Sequence, residues 1–143
     1  MLLKPTAALP RGDKWLYELK FDGFRGLAVK DGKEVRLFSR NGRDLSKRFA
    51  RITNAISKLR MKSVLIDGEI VCLDEQGRPC FEDVQNFKPS HENNLFFYAF
   101  DLLSADGENL MSLAIEERKE SLRQLLPCQG PLRLSEFVQC DPE

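Results

Sequence analysis

Phe24-Arg25-Gly26-Leu27-Ala28-Val29-Lys30-Asp31-Gly32-Lys33-Glu34-Val35-Arg36-Leu37-Phe38-Ser39 reads as two strands joined by a tight turn. Asp31-Gly32 is a strong two-residue hairpin signal, returning the first strand (24–30) along the second (34–39). Upstream, Trp15 to Lys20 alternates as a further strand. Downstream, Asn41-Gly42 marks a sharp turn, and Asp44 or Ser46 can cap a helix whose apolar positions Leu45, Phe49, Ile52, Ile56 and Leu59 recur at helical spacing. Ser63 to Leu73 is a β-branched run expected to form a buried strand, ended by Asp74-Glu75-Gln76-Gly77. A short helix is expected near Phe81–Phe87 and an apolar strand from Leu95 to Leu103, closed by Ala105-Asp106-Gly107. Ser112 can cap a last helix reaching about Leu126, and Leu132 to Val138 reads as one more strand. Strands and hairpins interleaved with a few helices define an α+β domain with largely antiparallel sheets and flanking helices.

The chain has 143 residues, enough for one domain with a real core and too few for two ordinary ones. No apolar run approaches a membrane span and the N-terminus lacks a signal-peptide pattern, so the expected compartment is the cytoplasm. Four cysteines (Cys72, Cys80, Cys128, Cys140) lack C-x-x-C spacing and His91 is the one histidine. That argues against a zinc site or a disulfide framework, and leaves a hard cation held by carboxylates and phosphate as the metal to expect. A zero net charge hides a split. Residues 1–62 carry 16 Lys/Arg against 6 Asp/Glu, and residues 63–143 carry 6 against 16. A basic lobe beside an acidic one suits a nucleotide or nucleic acid, although a solvated face would also account for part of it.

The chemistry concentrates in Glu18-Leu19-Lys20-Phe21-Asp22-Gly23-Phe24-Arg25. A lysine with a reference pKa of roughly 10.4 is a poor nucleophile at neutral pH unless desolvation or a neighbouring cation frees its amine. Strand alternation puts Glu18 with Lys20, Asp67 with Glu69, and Tyr98 with Phe100 on common faces. Three such pairs inside apolar runs indicate a lined pocket, since a buried charge is costly unless paired or used. Asp22 and Asp67 precede glycines and also read as turn residues. Phe100 also reads as plain core.

Together these elements resemble the nucleotidyltransferase superfamily of ATP-dependent DNA ligases and mRNA-capping enzymes. Lys20-Phe21-Asp22-Gly23-Phe24-Arg25 matches its K-x-D-G-x-R motif I, and Ser39-Arg40-Asn41-Gly42 the ligase S-R-N-G element. Asp67-Gly68-Glu69 fits motif III, and Phe97-Tyr98-Ala99-Phe100-Asp101-Leu102-Leu103 fits motif IIIa. The phrase Trp15-Leu16-Tyr17-Glu18-Leu19-Lys20 looks like bacterial ligases of the end-joining type. The resemblance implies an ATP-grasp-like adenylation domain in which Lys20 attacks the α-phosphate of ATP, forms lysyl-AMP and passes AMP to the 5′-phosphate of nicked double-stranded DNA. It further implies that Glu18 reads the adenine amino group and Phe100 stacks on the purine. Arg25 would hold the ribose or the nick phosphate, Arg40 a phosphate of nucleotide or DNA, and Glu69 the ribose hydroxyl or the metal, Mg2+ or Mn2+. Lys47, Arg48 and Arg51 would track the DNA backbone, where affinity comes from phosphate neutralisation; a solvated helix face is the alternative for the two arginines.

The family's E-G-x-x-x-K motif IV and K-x-K motif V do not occur in the sequence. The expectation is therefore the N-terminal part of an adenylation domain over 1–143, with the remainder of that domain and an oligonucleotide-binding domain as possible partners and impaired activity alone. The alternatives are an inactive nucleotide- or DNA-binding remnant and an RNA-ligase or capping-type nucleotidyltransferase.

Overall fold

A computed structural model describes residues 4–139; Cys140 lies outside them. The elements in chain order are β1 (Tyr17–Glu18), β2 (Phe24–Asp31), β3 (Glu34–Ser39), α1 (Ala50–Ser57), β4 (Ser63–Cys72) and α2 (Phe81–Gln85). A 3-10 helix (Pro89–Asn94), β5 (Leu95–Ala105), β6 (Glu108–Asn109), α3 (Ile115–Leu125), β7 (Leu132–Leu134) and β8 (Phe137–Val138) complete it. The main sheet runs β3-β2-β4-β5-β6, all antiparallel, with β7 added parallel to β5. A separate two-stranded ribbon pairs β1 with β8. None of the described helices is long and apolar enough to cross a membrane.

The hairpin forms as expected with a one-residue shift. Asp31 pairs with Glu34, so the turn residues are Gly32-Lys33 rather than Asp31-Gly32, and Gly32 supplies the positive φ of 58°. Alternation along β2 and β4 then divides the sheet. Ala28, Val64, Ile66, Ile70 and Cys72 face the core with Leu95, Phe97, Ala99 and Leu102 of β5, while Arg25, Asp67 and Glu69 point to the other face. Two register shifts in the β4–β5 ladder leave Phe100 and Leu103 without direct partners on β4. The first is a bulge that lets Phe100 and Asp101 both lie off the core face, between buried Ala99 and Leu102.

The apolar stripe Leu45, Phe49, Ile52, Ile56 and Leu59 is buried as expected. Its capping is different: α1 starts at Ala50 behind Phe49, with no side-chain cap. Asp44 accepts instead from the Ser46 N–H, and Ser46 Oγ accepts from the Leu37 N–H, so both residues build the turn that docks this segment on β3. The other end of α1 is closed by Lys30, buried on the core face of β2, whose ammonium donates to the Ser57 and Leu59 carbonyls at 3.0 and 2.6 Å. Nor does Ser112 cap α3: the helix begins after Ala114, whose N–H donates to the Glu117 carboxylate. The Leu132–Val138 run is split between two sheets, and the Trp15–Lys20 strand shortens to Tyr17–Glu18. Cys72, Cys80 and Cys128 are free thiols, and burial pushes the Cys72 thiol up to about 11.

Gly68, at the centre of β4, has no room for a side chain. A Cβ there would lie 2.6 Å from Phe97 Cζ and 2.7 Å from the Tyr98 carbonyl oxygen. Gly68→Ala is expected to destabilise the fold by roughly 1–3 kcal/mol in urea unfolding, the scale of overpacking a filled core. A change below about 0.5 kcal/mol, the range of an inert surface substitution, would contradict that packing.

Candidate active site

Register places the polar groups. Arg25 on β2 is paired with Glu69 on β4, and Leu27 with Asp67. The Arg25 guanidinium reaches diagonally to Asp67 as a fork, with Nε to Oδ1 at 2.9 Å and Nη2 to Oδ2 at 2.5 Å. This hydrogen bonding, with the charges of Asp67 and Glu69, raises the Arg25 pKa against the opposing effect of burial. Asp67 is 8% exposed and lies in mid-strand, so it is an ion-pair partner and not a turn residue. The same guanidinium lies over the Phe100 ring, 5.1 Å from its centroid. A stacked purine must therefore take the other face of Phe100 or displace the arginine.

Glu69 is half-buried. Desolvation raises its pKa, opposed by a hydrogen bond from the Gly23 N–H and by the charges of Lys20 and Arg25, with Asp22 adding to the rise. Gly23 must be glycine: a Cβ there would sit 2.1 Å from the Ile70 carbonyl oxygen. Glu69, Arg25 and Arg40 share an open cleft of about 330 Å³, completed by Gly23, Phe24, Ser39 and Asn41. Lys20 is exposed in the loop between β1 and β2, beyond the end of the shortened strand, so alternation from Glu18 does not set its direction. What fixes the loop is the next residue. Phe21 stacks on Tyr98 with centroids 4.1 Å apart and planes at 22°. Tyr98, expected to pair with Phe100 in lining the pocket, serves as the anchor of the Lys20 segment.

Glu18 has a partner that sequence reading missed. Lys119 of α3 donates to Glu18 Oε1 at 2.6 Å and to the Phe100 carbonyl at 2.8 Å. No local signal marks Lys119, which follows Arg118 on a charged helix, because its partners come from other elements. Arg118 itself clasps Asp101 with two hydrogen bonds of 2.8 and 3.0 Å, fixing α3 to β5.

The residues expected to follow DNA lie elsewhere. Lys47, Arg48 and Arg51 line a separate depression of about 160 Å³ with Phe87, Pro89 and Glu92. Arg48 donates to the Val84 and Gln85 carbonyls at 2.9 and 2.6 Å, and its guanidinium lies over Phe24 and Phe49. Arg51 donates to the Glu92 carbonyl and lies over Phe96. These two arginines hold the 81–94 excursion against α1, satisfying carbonyls that its short helices leave open. Lys47 is exposed beside them.

A metal would find one carboxylate in the cleft, Glu69, because both oxygens of Asp67 are held by Arg25. Among the described residues no group of three or more His, Cys, Asp or Glu gathers around a point. Mg2+ is commonly bound by one or two carboxylates plus substrate phosphates, so a single carboxylate beside a phosphate-sized cleft fits it.

Comparison with known proteins shows the family. The family model for the ATP dependent DNA ligase domain matches residues 2–142, and the chain belongs to that family. It is 40% identical over 136 residues to the multifunctional non-homologous end joining protein LigD of Pseudomonas aeruginosa, covering 93% of this chain and 16% of that protein. It is 37% identical to the bifunctional LigD of Bacillus subtilis, covering 85% of this chain and 22% of that protein. Among solved structures, the ligase domain of Mycobacterium tuberculosis LigD superposes with a TM-score of 0.71 at 31% identity, over 88% of this chain and 41% of the other. A mycobacterial DNA ligase D complexed with ATP gives 0.69 at 30% identity, over 88% and 40%. The chain spans less than a quarter of the length of these two curated relatives and 41% of the solved ligase domain.

The desolvated carboxyl of Glu69 makes a pH prediction. The folded state holds its proton to a higher pH than the unfolded chain, so folding is penalised as pH rises through the unfolded and then the folded pKa. Glu69→Gln is expected to be more stable than the parent near neutral pH, with the gain shrinking toward about pH 4 as the parent carboxyl takes up its proton. Denaturation curves of both proteins across that range test this; a gain independent of pH would contradict it.

Proposed function

We propose that the cleft binds ATP and that Lys20 is the nucleophile of an AMP-transfer reaction on DNA. Lys20 first gives its ammonium proton to solvent. Its amine then attacks the α-phosphorus, a P–N bond forms, the bond to pyrophosphate breaks, and a second proton leaves the nitrogen to solvent. AMP then passes to the 5′-phosphate of a nick, and the 3′-hydroxyl displaces it to seal the strand. All three steps are phosphoryl transfers governed by in-line positioning and charge neutralisation. The observation that carries this reading is a single one: Arg25, Arg40 and Glu69 line one cleft, and the charge of Lys20 acts on Glu69 within it.

In this reading Glu18 accepts from the adenine amino group, Phe100 stacks on the purine, and Arg25 holds ribose or the nick phosphate. Arg40 contacts phosphate, and Glu69 binds a ribose hydroxyl or, with the phosphates, the metal. Mg2+, when bound, offsets phosphate charge. Nicked double-stranded DNA would lie along Arg40 and Lys47, with Arg48 and Arg51 adding positive field while they hold the 81–94 segment. Adenylation by this chain alone is expected to be slow. In the family, lysines of a K-x-K element neutralise charge growing on the transferring group, and this sequence has none. The remainder of an adenylation domain and an oligonucleotide-binding domain are the partners we assign, in a soluble cytoplasmic protein.

Incubation with α-labelled ATP and Mg2+ should leave an acid-labile label on the protein that Lys20→Ala abolishes. Equal labelling of Lys20→Ala, or label retained from GTP alone, would overturn the assignment. ATP binding without label in either protein would instead favour a nucleotide-binding remnant.

A further inference from the structure

Lys119 is the most deeply buried charged residue among those described, 1% exposed. Its ammonium sits where three elements meet. It donates to Glu18 Oε1 on β1 and to the Phe100 carbonyl on β5, and lies 5.1 Å from the Phe137 ring centroid on β8. Glu18 and Phe137 are themselves paired across the two-stranded ribbon. One cation therefore ties the ribbon to the main sheet, and does so at the two residues assigned to the base, Glu18 and Phe100. Burying an ammonium is costly, and an apolar side chain would fill the same space without that cost.

We propose that Lys119 is a positioning residue that sets purine specificity, an inference that rests on Glu18 and Phe100 facing the base. An ammonium can only donate. By taking Glu18 Oε1 it holds the carboxylate in one orientation and leaves Oε2 as an acceptor on a side chain that is 32% exposed. A fixed acceptor matches the 6-amino group of adenine and opposes a 6-oxo group, which also accepts. The bond to the Phe100 carbonyl holds that acceptor at a set distance from the stacking ring.

The test is equilibrium binding of ATP, purine riboside triphosphate (hydrogen at position 6) and inosine triphosphate (6-oxo). The parent chain should favour ATP over purine riboside triphosphate by about tenfold, the worth of one hydrogen bond to a charged group, and bind inosine triphosphate weakest. Lys119→Met should bring the first two within about twofold of each other, and Lys119→Arg should keep the preference. A lysine with only a structural role would weaken all three ligands together and leave the ratios unchanged. Glu18→Gln gives a second arm at a partly exposed position. Lys119 should hold the amide oxygen and turn the NH2 toward the base, so that inosine triphosphate becomes preferred over ATP.

Full ATP preference in Lys119→Met, with normal binding by the parent, overturns this inference and leaves the ATP site intact. If Lys119→Met does not fold, Glu18→Gln decides, and continued preference for ATP overturns the inference. A parent chain that binds no purine nucleotide overturns the ATP reading and this inference with it.

Discussion

The register of β4 between β2 and β5 is the constraint on which the rest depends. Both neighbours are antiparallel, so every β4 residue is committed to one face by two ladders at once. A slip of one residue would send Asp67 and Glu69 into the core and Ile66 and Ile70 out of it. Gly68 helps prevent that slip, because Phe97 and the Tyr98 carbonyl occupy the space any larger residue would need. The fork between Arg25 and Asp67, the cleft beside it and the approach of Gly23 to Ile70 all follow from this alignment.

The cleft is also a place of opposed electrostatic demands. Asp67 is neutralised by Arg25 and gains from the pairing, whereas Glu69 is half-desolvated and, among the described residues, is met by one backbone N–H and the fields of Lys20 and Arg25. A carboxylate in that state is poorly served by the protein alone and well served by a cation or a ribose hydroxyl. Under the proposed function, that unmet demand is what a bound cation or ribose hydroxyl at Glu69 would satisfy, a pattern common at functional sites.

The parts legible in the sequence are those that depend on period and neighbours. Alternation in Ile66-Asp67-Gly68-Glu69-Ile70 foretold the shared face of its two acids, and the stripe from Leu45 to Leu59 foretold a buried helix side. The glycines of motif I and motif III follow Asp22 and Asp67 and read equally as turn positions; their close approaches, Gly23 to Ile70 and Gly68 to Phe97 and Tyr98, show only in the fold. What stayed hidden depends on distant partners. Glu18 and Lys119 are 101 positions apart, and Arg48 reaches Val84 across 36. Asp44 and Ser46 have good capping chemistry, but Leu37 already claims the Ser46 hydroxyl, and the helix starts later. Alternation along Trp15–Lys20 also misled, because the strand ends at Glu18 and Phe21 finds Tyr98.

The split of the 132–138 stretch between two sheets has a kinetic consequence. β7 lies on β5, but β8 closes a ribbon with β1 that joins the two ends of the described chain. Its two-residue ladder and the Lys119 contacts hold it against the entropy of closing a long loop, so this pairing should form late in folding and be among the first to open. The loop carrying Lys20 is attached to that ribbon on one side and to the eight-residue strand β2 on the other. Opening of the ribbon would thus free one end of the Lys20 loop while the acidic and basic groups of the cleft stay in register behind it.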